Sequence, residues 1–455
     1  MKTFLINPST EEKSYFLSLN KDQLIKKVQI AKKAFISLKK INHKERSFKI
    51  KKLAGILRRN IEDYAKIITT EMGKPIKEAR TEIEKCSFLC DYYSENFDVF
   101  LKDEFITTEA KKSYVTFEPL GVIFAIMPWN FPFWQVFRCA IPAICAGNVI
   151  LLKHAGNVPQ CALAIEKIFK EAGFSEGIFT ALFINSSSAK ELIEKDRAIQ
   201  GISFTGSVAA GKELAQIAGK NLKKIVLELG GSDPFIVLED AHIENTCDFA
   251  IKSRMTNGGQ SCISAKRFII VKKLMKEFQK KIVHNLSQLK VGNPLEDNTD
   301  IGPLAKLELL KKLKKQVNNA LKSKAEIIYQ NINIPQRGFY YPPTIISKVA
   351  VHSLLFKEEI FGPVFALIEA ENGQEAATLA NNSQFGLGAS IWTQNIKKAE
   401  QIAKELQSGM VFINGMVKSD PRLPFGGIKN SGIGRELGSY GLKEFVNIKT
   451  IVIEK

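Results

Sequence analysis

Metal-ligand spacing is missing from this chain. Its five histidines (His43, His154, His242, His284 and His352) are scattered, and its seven cysteines contain no Cys-x-x-Cys pair. That disfavours a zinc site, so no metal is expected. The odd cysteine number, with no apolar signal-peptide core in residues 1–12, disfavours a disulfide framework and points to the cytosol. No apolar run reaches the roughly 18 residues of a membrane span. Arginine is scarce, at 11 of the 65 basic residues. The net charge of +18 therefore rests on lysines spread over helical faces, which argues against a nucleic-acid partner. The same charge attracts small anionic substrates and cofactors.

Two nucleotide-binding signatures are also missing. No Gly-x-Gly-x-x-Gly follows a strand. Residues 206–212 read Gly-x-x-x-x-Gly-Lys, but Glu213 stands where an ATP-binding P-loop needs Ser or Thr for its magnesium ion, which excludes an NTPase reading.

What is present is patterned. At 455 residues, 45% of them hydrophobic and 25% charged, the chain has the composition of a soluble globular protein with two or three domains. Helical spacing of apolar residues predicts helices over 21–38, 43–71 and 75–100, broken at Asn42 and at Gly73-Lys74-Pro75. Alternation over 113–118 predicts a strand at an edge or a subunit boundary. From 121 onward, apolar strands (121–126, 148–152, 178–184, 201–204, 224–229) alternate with helices (159–172, 187–195, 207–218). This implies a doubly wound parallel sheet, with ligands at the carboxyl ends of its strands. A second βα series follows Gly230-Gly231: helices over 243–255, 274–289 and 305–322, and strands near Ile327, Tyr340, Val364 and Ser390. The tail, 441–455, returns to strand alternation and could pair with the strand near Val115, within or between subunits.

Several residues stand where chemistry would place them. Cys262 follows Gly258-Gly259 and precedes a strand-like run, so a thiol is presented on a tight turn; a small buried hydrophobe is the plainer alternative. Asn130 lies past an apolar strand, as an oxyanion donor or a turn residue. Lys153 ends the next strand, to bond a ribose or phosphate or simply to face solvent. Gly206 and Ser207 open a helix whose free N–H groups suit a pyrophosphate. Glu228 ends an apolar strand beside glycines, as a mobile general base or a solvated carboxylate. Arg138 sits in an apolar helix and is costly to bury without an anion. A substrate carboxylate would be that partner; helix-end carbonyls are the alternative. Residues 357–364 (Lys-Glu-Glu-Ile-Phe-Gly-Pro-Val) and the glycine-dense 423–432 complete the set.

In this order and spacing the motifs resemble the aldehyde dehydrogenase superfamily over nearly the whole chain. Residues 134–138, 153–155, 228–235 and 264–268 are most similar to the shorter bacterial succinate-semialdehyde dehydrogenases. The resemblance implies an α/β fold of two doubly wound parallel-sheet domains plus a small β oligomerisation segment. A dinucleotide-binding domain would span 1–111 and 120–229, a catalytic domain 230–438, and oligomerisation strands 112–119 and 439–455. It implies oxidation of succinate semialdehyde to succinate, with Cys262 as nucleophile, Asn130 as oxyanion donor and Glu228 as base for thioester hydrolysis. The implied cofactor contacts are Trp129, Asn130, Lys153, His154, Ala155, Gly156, Gly206, Ser207, Leu229, Glu359 (on the nicotinamide ribose) and Phe361. Arg138, Ser419 and Phe425 would bind the substrate. Many NAD-preferring members carry Glu at the position of Gly156; its absence makes NADP acceptable beside NAD, with Lys153 and His154 offering positive or donor character. A homodimer or homotetramer is implied. Alternatives are a broader-range or other ω-carboxy semialdehyde dehydrogenase, a CoA-acylating enzyme, disfavoured by Glu228, and a binding protein on a retained fold, disfavoured by the intact Cys262, Glu228, Asn130 and Lys153.

Overall fold

The computed structural model describes residues 2–455. Their fold is set by two largely parallel sheets. The first runs, in spatial order, Gly432–Ile433, Lys224–Glu228, Ile199–Thr205, Val122–Met127, Val149–His154, Phe179–Ala181, and only its Gly432–Ile433 edge is antiparallel. The chain starts in the middle at Val122–Met127, winds outward one way, then returns to wind the other way from Ile199–Thr205. The winding therefore reverses between these two neighbours, and a crevice opens beyond their carboxyl ends. Pro128-Trp129-Asn130 and Gly206-Ser207 lie at those ends.

The second sheet has seven strands, ordered Glu326–Gln330, Thr344–Ser347, Val364–Ala370, Ala265–Val271, Asp233–Val237, Gly388–Trp392, Met410–Ile413. Alternating residues feed two cores. Ile236, Ile269 and Ile368 face one, and Phe235, Phe268 and Leu367 face the other. Period-two alternation with apolar residues on both faces is what a sheet covered by helices on each side demands.

The predicted helices form, with one difference. Residues 43–71 split into His43–Arg59 and Ile61–Met72. At the break, the Asn60 side chain donates to the Ile56 carbonyl at 2.9 Å, competing with the helix ladder. Asn42 caps the first of these helices through the Glu45 N–H, and Gly73 ends the second with φ 81°. The strand expected near Tyr340 is displaced to Thr344–Ser347, because Pro342 and Pro343 cannot donate to a ladder. The tail strand Val446–Ile453 pairs antiparallel with Lys112–Pro119 of its own chain, Thr450 opposite Val115. A hairpin of Lys2–Ile6 and Lys13–Leu17 was not legible in the sequence. Among the described residues, no helix is long and apolar enough to cross a membrane.

Candidate active site

The helix Ile243–Met255 runs into a turn that carries Cys262 between the two sheets. Asn257, Gly258 and Gly259 all have left-handed backbones, with φ of 56°, 58° and 76°. A Cβ at Gly259 would collide with the Gly362 carbonyl, so the turn needs glycine for approach as well as for conformation. Two buried cations then fix the loop. Lys266 donates to the carbonyls of Ser261 (2.8 Å), Cys262 (2.7 Å) and Ser264 (2.9 Å). Arg254 donates to Ser264 Oγ and the Ala265 carbonyl, both at 3.0 Å, and to the carbonyls of Ile360 and Gly362. It thus ties the nucleophile loop to the segment that bears Glu359. Burial pushes the Cys262 thiol up to about 12, and Arg138 and Lys266 oppose that rise.

Asn130 is 4% exposed and donates one amide hydrogen to the Gln260 carbonyl at 3.1 Å. Its Oδ1 has no partner among the described residues. Asn257 Nδ2 reaches back to the Asn130 carbonyl at 2.7 Å, which fastens the strand end to the nucleophile turn. Glu228 is 2% exposed, and neither carboxyl oxygen has a partner among the described residues. Burial raises its pKa well above the carboxylate range, against the pull of Arg138. A Cβ at Gly426 would lie 2.7 Å from Glu228 Oε1, so the glycine-dense loop closes directly on this acid.

Cys262 opens into a cavity of about 500 Å³. One wall is a face of the helix Ile76–Phe100, where Glu78, Thr81, Glu82 and Lys85 follow at helical spacing. A second is the helix Trp134–Cys145, which brings Trp134, Gln135 and Arg138. This helix has no cap of its own. Glu82 Oε1 instead accepts the N–H groups of Phe133 (2.8 Å) and Trp134 (2.9 Å), while Oε2 pairs with buried Lys74. Ser419 and Phe425 close the far side. The Arg138 guanidinium lies 4.4 Å from the Phe425 ring centroid and pairs with buried Glu436. Arg138 thus has an anion within the chain, Glu436, where the sequence reading offered a substrate carboxylate or helix-end carbonyls.

On the opposite side of Cys262 lies the crevice of the first sheet. Trp129 and Phe361 meet edge to face at 6.0 Å between ring centroids. Lys306 Nζ lies 6.0 Å from the Trp129 ring. Burial lowers Lys306, and burial together with Lys306 lowers Lys153. Glu359 accepts from the Gly231 N–H at 3.1 Å. Ser207 caps its helix through the Ala210 N–H, and Leu229 packs against Gly211 beneath it. A side chain at Gly156 would meet only the Thr3 methyl, at 3.7 Å. The positive or donor character expected of His154 is absent. Its ring is buried, Nε2 bonds the Pro132 carbonyl at 2.9 Å, Nδ1 accepts from the Ala155 N–H at 2.9 Å, and burial pulls its pKa down to about 4. It is a neutral brace.

The fold thus brings Cys262, Asn130, Glu228, Arg138, Ser419 and Phe425 to one side and Trp129, Lys153, Glu359 and Phe361 to the other. Sequence reading missed Lys266, Arg254, Glu436, Lys306 and Lys85. A charged residue inside the apolar run 265–271 was the available signal for Lys266; the others show only in three dimensions.

The aldehyde dehydrogenase family model matches residues 2–451. The chain is 46% identical to the probable succinate-semialdehyde dehydrogenase (NADP+) of Synechocystis sp. over 98% of this chain and 99% of the relative. It is 43% identical to the succinate semialdehyde dehydrogenase (NAD(P)+) of Escherichia coli K12, over 98% and 96%. Among solved structures, succinic semialdehyde dehydrogenase from Streptococcus pyogenes in complex with NADP+ superimposes with a TM-score of 0.96 at 36% identity, covering 99% of this chain and 100% of that one. With a thiol on a left-handed turn between a basic crevice and a cavity, and with a family match along nearly its full length, the chain belongs to the aldehyde dehydrogenase family.

Proposed function

We infer that the protein oxidises succinate semialdehyde to succinate with NADP or NAD. The observation that carries this is one cavity holding the Cys262 thiol together with Arg138 and Ser419, polar groups that suit a short aldehyde with a carboxylate at its far end.

The cofactor fits the residues present. Lys153 and Lys306 have no carboxylate on their Nζ atoms among the described residues, and Gly156 adds no acid to repel a 2′-phosphate. Lys153, Lys306 and the Gly206-Ser207 helix start would hold its phosphates and ribose, Glu359 the second ribose, and Trp129, Leu229 and Phe361 its flanks. When bound, NAD(P)+ supplies the hydride acceptor.

The chain's own groups do the rest. Deprotonated Cys262 Sγ bonds the aldehyde carbon, and the carbonyl π pair moves to oxygen. The free Asn130 amide hydrogen and the Cys262 backbone N–H stabilise that oxyanion. Loss of hydride from the same carbon restores the carbonyl as a thioester on Cys262. Glu228 then takes a proton from water as its oxygen bonds the thioester carbon; the C–S bond breaks, the acid leaves and Cys262 regains its proton. Glu228 suits this part because it accepts no hydrogen bond and faces glycine, so it is free to turn. The residue 230–438 segment carries the nucleophile, and the first sheet with residues 1–111 carries the cofactor. The sheet of Lys112–Pro119 and Val446–Ile453 leaves Ile448 and Val452 exposed, which supports subunit contact in a homodimer or homotetramer.

The test is NAD(P)H formation with semialdehydes of different chain length, each with NAD and NADP. Succinate semialdehyde should give the highest kcat/KM, and NADP should serve at least as well as NAD. A preference for uncharged aldehydes would overturn the substrate, and a strong NAD preference the cofactor reading.

A further inference from the structure

The tunnel holds one cation that the chemistry above does not use. Lys85 projects from the helix Ile76–Phe100 into the cavity, where its Nζ donates to Ser419 Oγ at 2.6 Å and lies 4.2 Å from the Trp134 ring centroid. An ammonium has three N–H donors, so this contact leaves others unspent. The cations beside it have acids, and Lys252, which also lines the cavity, faces solvent. Lys74 pairs with Glu82, Lys77 with Asp300 at 2.6 Å, and Arg138 with Glu436. Lys85 has no ion-pair partner among the described residues.

The acids nearest Lys85 are already committed. Glu82 caps the helix Trp134–Cys145 with one oxygen and holds Lys74 with the other. Asp420 is gripped by Arg422 at 2.8 and 2.6 Å. Burial and the repulsion of Arg138 pull the Lys85 pKa down to about 8, the signature of a recessed cation that lacks an anion. The contact with Ser419 also has a direction. Lysine only donates, so Ser419 Oγ accepts and its own O–H is left to donate elsewhere. Two donors, from Lys85 and from Ser419, therefore sit side by side on the wall of a cavity that ends at Cys262.

We propose that Lys85, acting with Ser419, anchors the carboxylate of the ω-carboxy aldehyde and so sets the preference for that substrate over uncharged aldehydes. This rests on the substrate reading above. Arg138, whose guanidinium is held by Glu436, adds a fixed positive charge to the same cavity.

The experiment uses the full-length enzyme and the variants Lys85→Met and Lys85→Arg, with succinate semialdehyde and butanal as paired substrates at saturating NADP. Lys85→Met should lower kcat/KM for succinate semialdehyde roughly 10- to 100-fold, chiefly through KM, with a much smaller loss for butanal; Lys85→Arg should recover most of it. Equal losses on both aldehydes, or an unchanged ratio, would overturn the proposal. Calorimetric binding of succinate, which needs no turnover, separates this from the substrate reading. If native enzyme prefers butanal, that reading falls, but weaker succinate binding in Lys85→Met still supports the anion site. Succinate bound equally well by native and Lys85→Met enzyme overturns it. Lys85→Gln, which keeps a donor to Ser419, takes the place of the Met variant in the same measurements should that variant fail to fold.

Discussion

The two ends of the active site treat positive charge in opposite ways. In the tunnel, Lys74, Lys77 and Arg138 are each matched by a carboxylate of the same chain. In the cofactor crevice, Lys153 and Lys306 approach one another with no such partner, and burial lowers both. Matched charges build structure: the Lys74–Glu82 pair starts the helix that carries Arg138, and Arg138–Glu436 braces the surroundings of Glu228. Unmatched charges are kept for a ligand, at an energetic cost to the empty protein. By this criterion Lys85 belongs with the crevice lysines although it stands in the tunnel.

The largest effect should come from Glu228, which both regions border. Glu228→Gln should cut steady-state turnover roughly 10²- to 10⁴-fold while sparing a first burst of one NAD(P)H per active site, since only thioester hydrolysis needs the base. Rapid mixing checks this; a variant without a burst would place Glu228 in the first half-reaction too. The sign of the pH dependence follows from burial. Burial raises the Glu228 pKa, so the carboxyl is protonated and inactive as a base at low pH, and hydrolysis should speed up as pH rises through that raised value.

Arg138→Met comes next and tests whether matched charge is structural. It leaves Glu436 and Glu228 buried without their cation, and should destabilise the fold by about 3–5 kcal/mol, read by urea unfolding. Lys306→Met, by the same measure, should cost close to nothing. If the two variants lose the same stability, the division between matched and unmatched cations collapses.

His154 gives a smaller, pH-dependent effect. Its folded pKa of about 4 lies below the ordinary imidazole value of 6.5, so the unfolded chain binds a proton that the folded chain refuses between those values. Stability from this residue is full above pH 6.5 and is lost as pH falls toward 4, by roughly 3 kcal/mol in all. Unfolding of His154→Gln across that window should show a shallower decline than the native protein.

These contrasts explain what could be read from the sequence. The βα alternation, the Gly258-Gly259 turn before Cys262 and the apolar strands ending at Asn130, Lys153 and Glu228 are local patterns, and each maps onto a strand end or turn. Partnership is not local. Glu436 lies nearly 300 residues from Arg138, and nothing in either neighbourhood announces the pair; Arg138 alone therefore looked like a cation waiting for substrate. His154 misled for a related reason, since adjacency to Lys153 suggested a shared ligand, whereas its ring turns inward to the Pro132 carbonyl. Lys85 is one of two lysines, with Lys77, on a helix that read as scaffold, and only the cavity on one face of that helix distinguishes it.

The smallest expected effect sharpens the comparison most, because it asks whether an unmatched cation serves only its own region. Lys306→Met removes one positive charge beside Trp129 and should raise KM for NADP about tenfold, the loss of one charge-assisted contact, roughly 1.4 kcal/mol. It should leave the ratio of kcat/KM for succinate semialdehyde over butanal where it was. Added salt should narrow the difference between native and variant, because the native contact is partly screened while the variant has none to lose. Lys85→Met should do the reverse, changing the aldehyde ratio and sparing the cofactor KM. A Lys306 variant that alters aldehyde preference would show that the two regions share one field across Cys262, and that the unmatched lysines act as a pool of charge rather than as separate ligand contacts.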